Sequence, residues 1–430
     1  MDTSKDIRML VLNILKEGRI NVEEADKIIN YINSTENTKD KSSSFQYPNP
    51  EVITDFAREG VSKIERFVSG LGFNIERVAQ NINQRINTKF EHDKNITHSG
   101  EKYSFTSEEH INLETHINKI IIDNTWGSIK VTGEERNDIS LHIEKIIWTA
   151  TKESAIERDK GIKVGNIQNN GVLQVLLPTN HQDINDTINL ELKVPKYLEL
   201  QLTTVIGNVN IADMINNKAK IYIKTNSGDI GLTNVHTFEI EALSVSGDIL
   251  LKDIDSIIFN RSTSGDIEIN GTVNGQSRLN TISGNVRGFV SINDSFELTS
   301  SSGNIDLKTS KNDNCKLLDL VTNSGDIHYH GIVNNTLRTR TNSGQIKAES
   351  IVGNLGVIEA TSTSGDIEWI IDQDCDVSFT CQTKSGDIFT NMHNVVKSQG
   401  KLTGILKEGK AKLLLSSISG DIEFHHDENR

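Results

Sequence analysis

Four residues, Ser-Gly-Asp-Ile, recur seven times in the second half of this chain, beginning at Ser227, Ser246, Ser264, Ser324, Ser364, Ser385 and Ser419. Near-copies begin at Ser283 (SGNV), Ser302 (SGNI) and Ser343 (SGQI), with outlying members at Ile206 (IGNV) and Trp126 (WGSI). The repeat glycines are Gly207, Gly228, Gly247, Gly265, Gly284, Gly303, Gly325, Gly344, Gly365, Gly386 and Gly420. Neighbours are 18 to 22 residues apart except the last pair, which is 34 apart. A repeat of this length stacks as a solenoid, each copy covering the next, rather than closing around one pocket. Such an architecture favours a scaffold or binding surface over an enzyme.

Aligned on the glycine, the copies describe one coil. Three positions before it stands a hydroxyl residue: Thr204, Thr225, Ser244, Ser262, Thr281, Ser300, Thr322, Thr341, Ser362, Thr383 and Ser417. Seven before it the residue is nearly always large and apolar, and two after it sits Ile or Val. Apolar residues at odd offsets before the glycine and even offsets after it are period-two alternation that changes phase at the bend. The pattern predicts strand, bend, strand. Glycine suits the bend because positive φ carries no Cβ clash, and the hydroxyls can turn inward to serve backbone groups that strand pairing leaves unpaired. One coil cannot bury its own apolar row, so the coils must stack, about 4.8 Å apart. The fold class expected is mainly β: a solenoid of about 20-residue coils over residues 104–427, preceded by a small α-helical region.

The net charge of −14 argues against a nucleic-acid partner, whose phosphates need a basic surface. Three cysteines do not make an even disulfide framework, and Cys381, five before Gly386 in a slot that leucines fill elsewhere, reads as a core residue. Residues 1–18 show no basic region leading into an apolar run, and no stretch approaches ~20 apolar residues. The expected location is therefore cytoplasmic, at most membrane-peripheral or associated with the cell envelope.

The first hundred residues follow another pattern. Residues 1–33 read as a helical hairpin: Ile7, Leu10, Val11, Ile14 and Leu15 form one face, Gly18 a stop, and Asn21 with Glu24 a capping box. A polar linker spans 34–50. Over residues 51–90 an amphipathic helix is expected, in which Ile53, Ile64, Ile75 and Ile86 recur every eleven residues and form a straight apolar stripe. That stripe suits self-association, a protein partner or packing on the solenoid, and a membrane surface is the alternative. A second linker is placed at 91–103.

The Asp residues after the repeat glycines invite a calcium hypothesis, but the paired-glycine nonapeptide of calcium β-rolls is absent. His328 and His330 share one strand face without a third ligand at metal spacing. Asp266, Glu268 and Arg261, and Asp366 with Glu368, are acid–base sets of the kind a polysaccharide-acting β-helix enzyme would need, yet they recur as generic turn and outward positions. No catalytic residue, metal or cofactor is expected.

On these residues the chain resembles the bacterial putative-adhesin β-strand-repeat family, domain of unknown function 4097, over roughly Tyr103 to Phe424. The SGDI units and the run LELKVPKYLELQLTTVIGNVNI (Leu190 to Ile211) carry the likeness, and EGRINVEEADKIINYI (Glu17 to Ile32) is similar to a short helical hairpin that precedes such repeats. The resemblance implies a β-solenoid linked to cell-envelope stress, with no defined catalytic residues. The expected function is a non-enzymatic scaffold with a helical docking module; the alternatives are a surface adhesin or cationic-peptide binder and, more remotely, the polysaccharide enzyme. In register, Ile249, Ile267, Ile305, Ile327 and Ile367 should form one buried column, and Phe238, in phase with Ile240, should point inward.

Overall fold

The computed structural model describes residues 100–427 apart from 115, 179–185, 311–313 and 394. The expected hairpin, first linker and amphipathic helix, with Ile53, Ile64, Ile75 and Ile86, lie outside the described residues. The described chain is a β-solenoid. Its first strand begins at Glu101, inside the segment expected as the second linker.

Each coil has two arms that meet at its Ser-Gly-Asp bend. In the Gly303 coil, Phe296, Leu298 and Ser300 before the bend and Ile305 and Leu307 after it are all at most 2% exposed. This is the phase change that the alternation requires. Arms of successive coils pair in parallel and in register. One column runs Ile249, Ile267, Val286, Ile305, Ile327, Ile346 and Ile367, every member buried. A facing column runs Leu298, Leu320, Thr339, Ala360, Leu415 and Cys381. The two arms pack across a thin core, where the Phe379 and Phe424 rings lie 4.8 Å apart in a tilted arrangement. Side-chain sizes alternate to fill it. Gly288 leaves room for Ile269 and Leu307, and Ala348 sits in register between the buried Tyr329 and Trp369. Each aromatic has a polar partner: the Tyr329 hydroxyl lies 3.0 Å from Thr309 Oγ1, and Trp369 Nε1 donates to Ser350 Oγ at 3.0 Å. Cys381 is fully buried, and burial pushes its thiol up to about 12.

The bends form a seam along which successive coils touch. A Cβ added to Gly265 would collide with the carbonyl oxygen of Gly247, and one on Gly284 with that of Gly265. The same relation continues through every repeat glycine. Positive φ explains only the early bends: Gly207, Gly228 and Gly247 have φ of 151°, 154° and 153°, whereas from Gly265 onward the repeat glycines have no such φ. Close approach of backbones, rather than φ, is the common reason for glycine.

Beside the seam the eleven hydroxyl residues are buried, as the alignment predicts. Thr281 Oγ1 donates to the Gly265 carbonyl at 3.1 Å and accepts from the Gly284 N–H at 3.2 Å. Ser300, Thr322 and Thr341 repeat this double contact. On the other side an Asx ladder climbs the bends. The Asp248 amide donates to Asp229 Oδ1 at 2.9 Å, Asp266 to Asp248 at 2.8 Å, Asn285 to Asp266 at 2.7 Å and Asn304 to Asn285 at 3.0 Å. Asp and Asn share the position because either offers an acceptor oxygen at that reach.

The far bends are less uniform. Asp213, Asn234 and Asp253 take φ of 59°, 54° and 54° there, which short polar side chains tolerate. Phe238 corrects the simple register. A shift in pairing between His236 and Glu239 turns it outward, 45% exposed beneath Lys220 Nζ at 5.5 Å, while Thr237 turns inward. An extra residue in one strand reverses the phase of what precedes it.

Both ends depart from chain order. At the start, Lys119–Trp126 pairs directly with Glu199–Ile206 and has Val172–Leu176 on its other side, while Ile129–Glu134 pairs with Val209–Ser227 and has Thr187–Pro195 on its other side. Antiparallel strands Asp138–Thr149 and Glu101–Asn112 continue that edge, and the helix Lys152–Gly161, capped by Thr151, packs there through Ala155. At the other end the Gly420 coil lies between the Gly365 and Gly386 coils, and the antiparallel strands Lys401–Ile405 and Val396–Ser398 follow.

Replacing Ile305 by Asp should destabilise by more than the roughly 2–5 kcal/mol of an Ile-to-Ala truncation, since the charge has no partner. Glu268→Lys, on the solvent face, should stay within about 0.5 kcal/mol in the same urea titration. Gly265→Ala should lose about 1–3 kcal/mol through backbone displacement alone. Thr281→Val keeps the shape but strands a buried N–H and a carbonyl, and should lose about 1–3 kcal/mol. A midpoint unchanged in both would show that the seam does not hold the coils.

Candidate binding surface

With inward positions fixed by packing, any recognition falls on outward rows, which stack because the arms are in register. After the glycine, the third-position row includes Glu268, Arg287, Asp306, His328, Lys347, Glu368 and Glu423, and the fifth-position row Phe289, Lys308, His330, Glu349 and Ile370. Between them a groove of about 880 Å³ is lined by Phe289, Asp306, Lys308, His328, His330, Lys347, Glu349 and Ile370, with Thr309 and Tyr329 among its walls. Apolar side chains mark its two ends and charges its middle. A neighbouring hollow of about 430 Å³ shares Thr309, His330, Glu349 and Ile370, and extends to Ile351, Asp372 and Asp427.

Charges pair between coils along these rows. Lys347 Nζ lies 2.7 Å from Glu368 Oε2, and His330 Nδ1 3.3 Å from Glu349 Oε2. On the opposite arm Arg278 meets Glu297 at 2.7 Å, Arg338 meets Glu359 at 3.1 Å and Arg340 meets Asp319 at 3.1 Å. Burial pushes the Asp319 carboxyl up, against the pull of the Arg340 and Arg338 guanidiniums. Burial also lowers the Arg261 guanidinium. Exposed pairs of this kind contribute little stability each, and their alternation mainly favours one register over a slipped one.

The residues weighed from sequence as chemical groups are not brought together. Asp266 belongs to the Asx ladder, Glu268 faces solvent on the arm after its glycine, and Arg261 lies on the arm before it. Glu368 is held by Lys347, while Asp366 accepts the Asp421 amide at 2.8 Å. His328 and His330 reach the same groove, which is their common feature. Among the described residues no group of three or more His, Cys, Asp or Glu is placed to hold a metal ion. The repeat glycines line the seam, away from the groove. Phe289 and Lys308 went unnoticed in the sequence; their signal was the fifth-position row read across coils rather than along the chain.

Several solved structures are similar to this chain at low identity. A putative adhesin of Parabacteroides merdae has 12% identity and a TM-score of 0.32, covering 61% of this chain and 95% of its own. A putative adhesin of Bacteroides fragilis has 11% identity and a TM-score of 0.27, covering 74% and 97%. A putative lipid binding protein of Parabacteroides distasonis has 12% identity and a TM-score of 0.28, covering 76% and 97%. No curated protein matches the chain. The Toastrack DUF4097 family model matches residues 117–317 and 252–424, and together these take in most of the sequence and the whole run of SGDI coils. The chain belongs to the Toastrack DUF4097 family.

Proposed function

We propose that this protein is a non-enzymatic binding scaffold, a solenoid that presents its outward rows to a partner and is gathered or docked through residues 51–90. The observation that carries this reading is the disposition of polar groups. Those that repeat in every coil are engaged in stacking, through the hydroxyl contacts and the Asx ladder. The outward charges pair between coils as the same positions recur. A surface built by repetition suits binding along its length, whereas catalysis needs one singular arrangement. Adhesion is one form of such binding. A place in cell-envelope stress is the setting that the family resemblance implies. Among the described residues no helix is long and apolar enough to cross a membrane.

The docking role rests on the eleven-residue stripe, because an apolar row of that length left uncovered is an aggregation liability. The full chain should sediment at equilibrium as an oligomer or float with anionic vesicles. Ile64→Asp with Ile75→Asp should abolish whichever behaviour is found, while leaving the thermal midpoint of the solenoid unchanged. A full chain that is monomeric and ignores vesicles would overturn the docking module.

A further inference from the structure

The last coil of the sequence is not the last coil of the stack. Gly386 follows Gly365 by 21 residues, the ordinary repeat, so its coil has the spacing to sit directly on the Gly365 coil. Instead residues 411–426 lie between the two. Ala411–Ser417 pairs with Val357–Ser362 on one side and Val377–Thr383 on the other. Ile422–His426 does the same between Ile367–Ile371 and Ile388–Thr390.

The gap that receives this coil is specific. It needs a glycine where any Cβ would strike the Gly365 carbonyl and a hydroxyl to donate to that carbonyl, as Ser417 Oγ does at 3.3 Å. It also needs an Asp whose Oδ1 accepts the Asp387 amide at 2.8 Å. Large apolar groups must fill the core, here Leu413, Leu415, Ile422 and Phe424, each at most 2% exposed. Phe424 supplies the ring against Phe379. The coil is tethered through the turn at 406–410, where Lys407 and Gly409 take φ of 56° and 73°. One buried side chain holds that turn. The Asp376 carboxylate accepts from the amides of Glu408 at 2.9 Å, Gly409 and Lys410 at 3.1 Å, and lies 3.4 Å from Lys410 Nζ.

We propose that the gap between the Gly365 and Gly386 coils is a strand-acceptor site, filled here by the chain's own residues 411–426 and open to the same coil of a second copy. Main-chain pairing on both sides would give affinity, and the glycine, hydroxyl and Asp requirements would restrict the donor to an SGDI coil. The SGDI coils from Gly228 to Gly365 are already stacked on both faces within the body, and the Gly386 coil forms the far wall of the gap. Among the SGDI coils, residues 411–426 alone enter their place out of order, through a turn secured by one carboxylate. Exchange of such an element between copies is a common route to dimers.

The test disables the donor in the full chain with Ile422→Asp and Phe424→Asp, then adds a synthetic peptide of residues 409–427. The variant should melt lower, and saturating peptide should bind one-to-one and restore most of the loss, while a peptide with the same two replacements should do neither. If the variant does not stay soluble, refolding with the native peptide should raise the soluble yield severalfold over the replaced one. A native peptide that neither binds nor rescues, or equal rescue by both peptides, overturns the site. The peptide lacks residues 1–99, so this outcome is independent of the docking module. In a second arm, Asp376→Asn is refolded at rising concentration in a chain that also carries Ile64→Asp and Ile75→Asp. A dimer fraction that grows with concentration is expected, and monomer throughout overturns the second copy as partner.

Discussion

Contact between the backbones of successive bends governs this molecule. At the seam each glycine faces the carbonyl of the glycine beneath it in the stack, so closely that no side chain fits between. Everything else in the coil is phased from that contact. The hydroxyl three residues earlier is drawn inward to the neighbouring bend's carbonyl, and from the Gly284 bend onward it also accepts the glycine amide, while the residue after the glycine carries an acceptor for the next amide. Net hydrogen-bond contributions are modest singly, but a buried donor or acceptor left unmet is expensive. The seam therefore acts less by adding attraction than by penalising every other register.

A parallel stack has two open faces, and unpaired strand edges invite association. Here both ends turn antiparallel, and both place a coil out of chain order before doing so. At the start, Glu101–Asn112 and the capped helix 152–161 form the closure. At the other end the hairpin 396–405 does so.

The coil was legible in the sequence because its constraints repeat. Ile305 and Thr281 could be assigned to the interior from offsets alone, since a two-residue period changing phase at a fixed glycine leaves one solution. Phe238 could not, because a single inserted residue in one arm reverses facing, and nothing local to Phe238 announces it. The reason for glycine was half readable. Positive φ is a property of one bend, whereas exclusion of a Cβ by the neighbouring coil appears only when the stack is built. The cap helix 152–161 was missed because only Ala155 on it is buried, leaving no apolar period to read. The order of the last coils left one trace, the 34-residue interval between Gly386 and Gly420, whose excess over a repeat makes the hairpin and the turn into the inserted coil. The groove was spread over five coils, one to four residues from each, and so was invisible along the chain.

The seam and the far bends differ in what they tolerate. At the seam, the glycine-to-glycine contact fixes the geometry to within an atom's width. At the far bends, Asp213, Asn234 and Asp253 hold a left-handed position that the next coil omits, Asn270 and Gly271 pairing with Lys252 and Ile254, and up to Gly386 the interval between glycines varies from 18 to 22 residues while the columns remain aligned. All of that variation is absorbed on one side. The solenoid thus has a conserved spine and a permissive margin, where foreign loops could be grafted one per coil at roughly 4.8 Å intervals without disturbing the fold, a ready-made ruler for displaying peptides in a row.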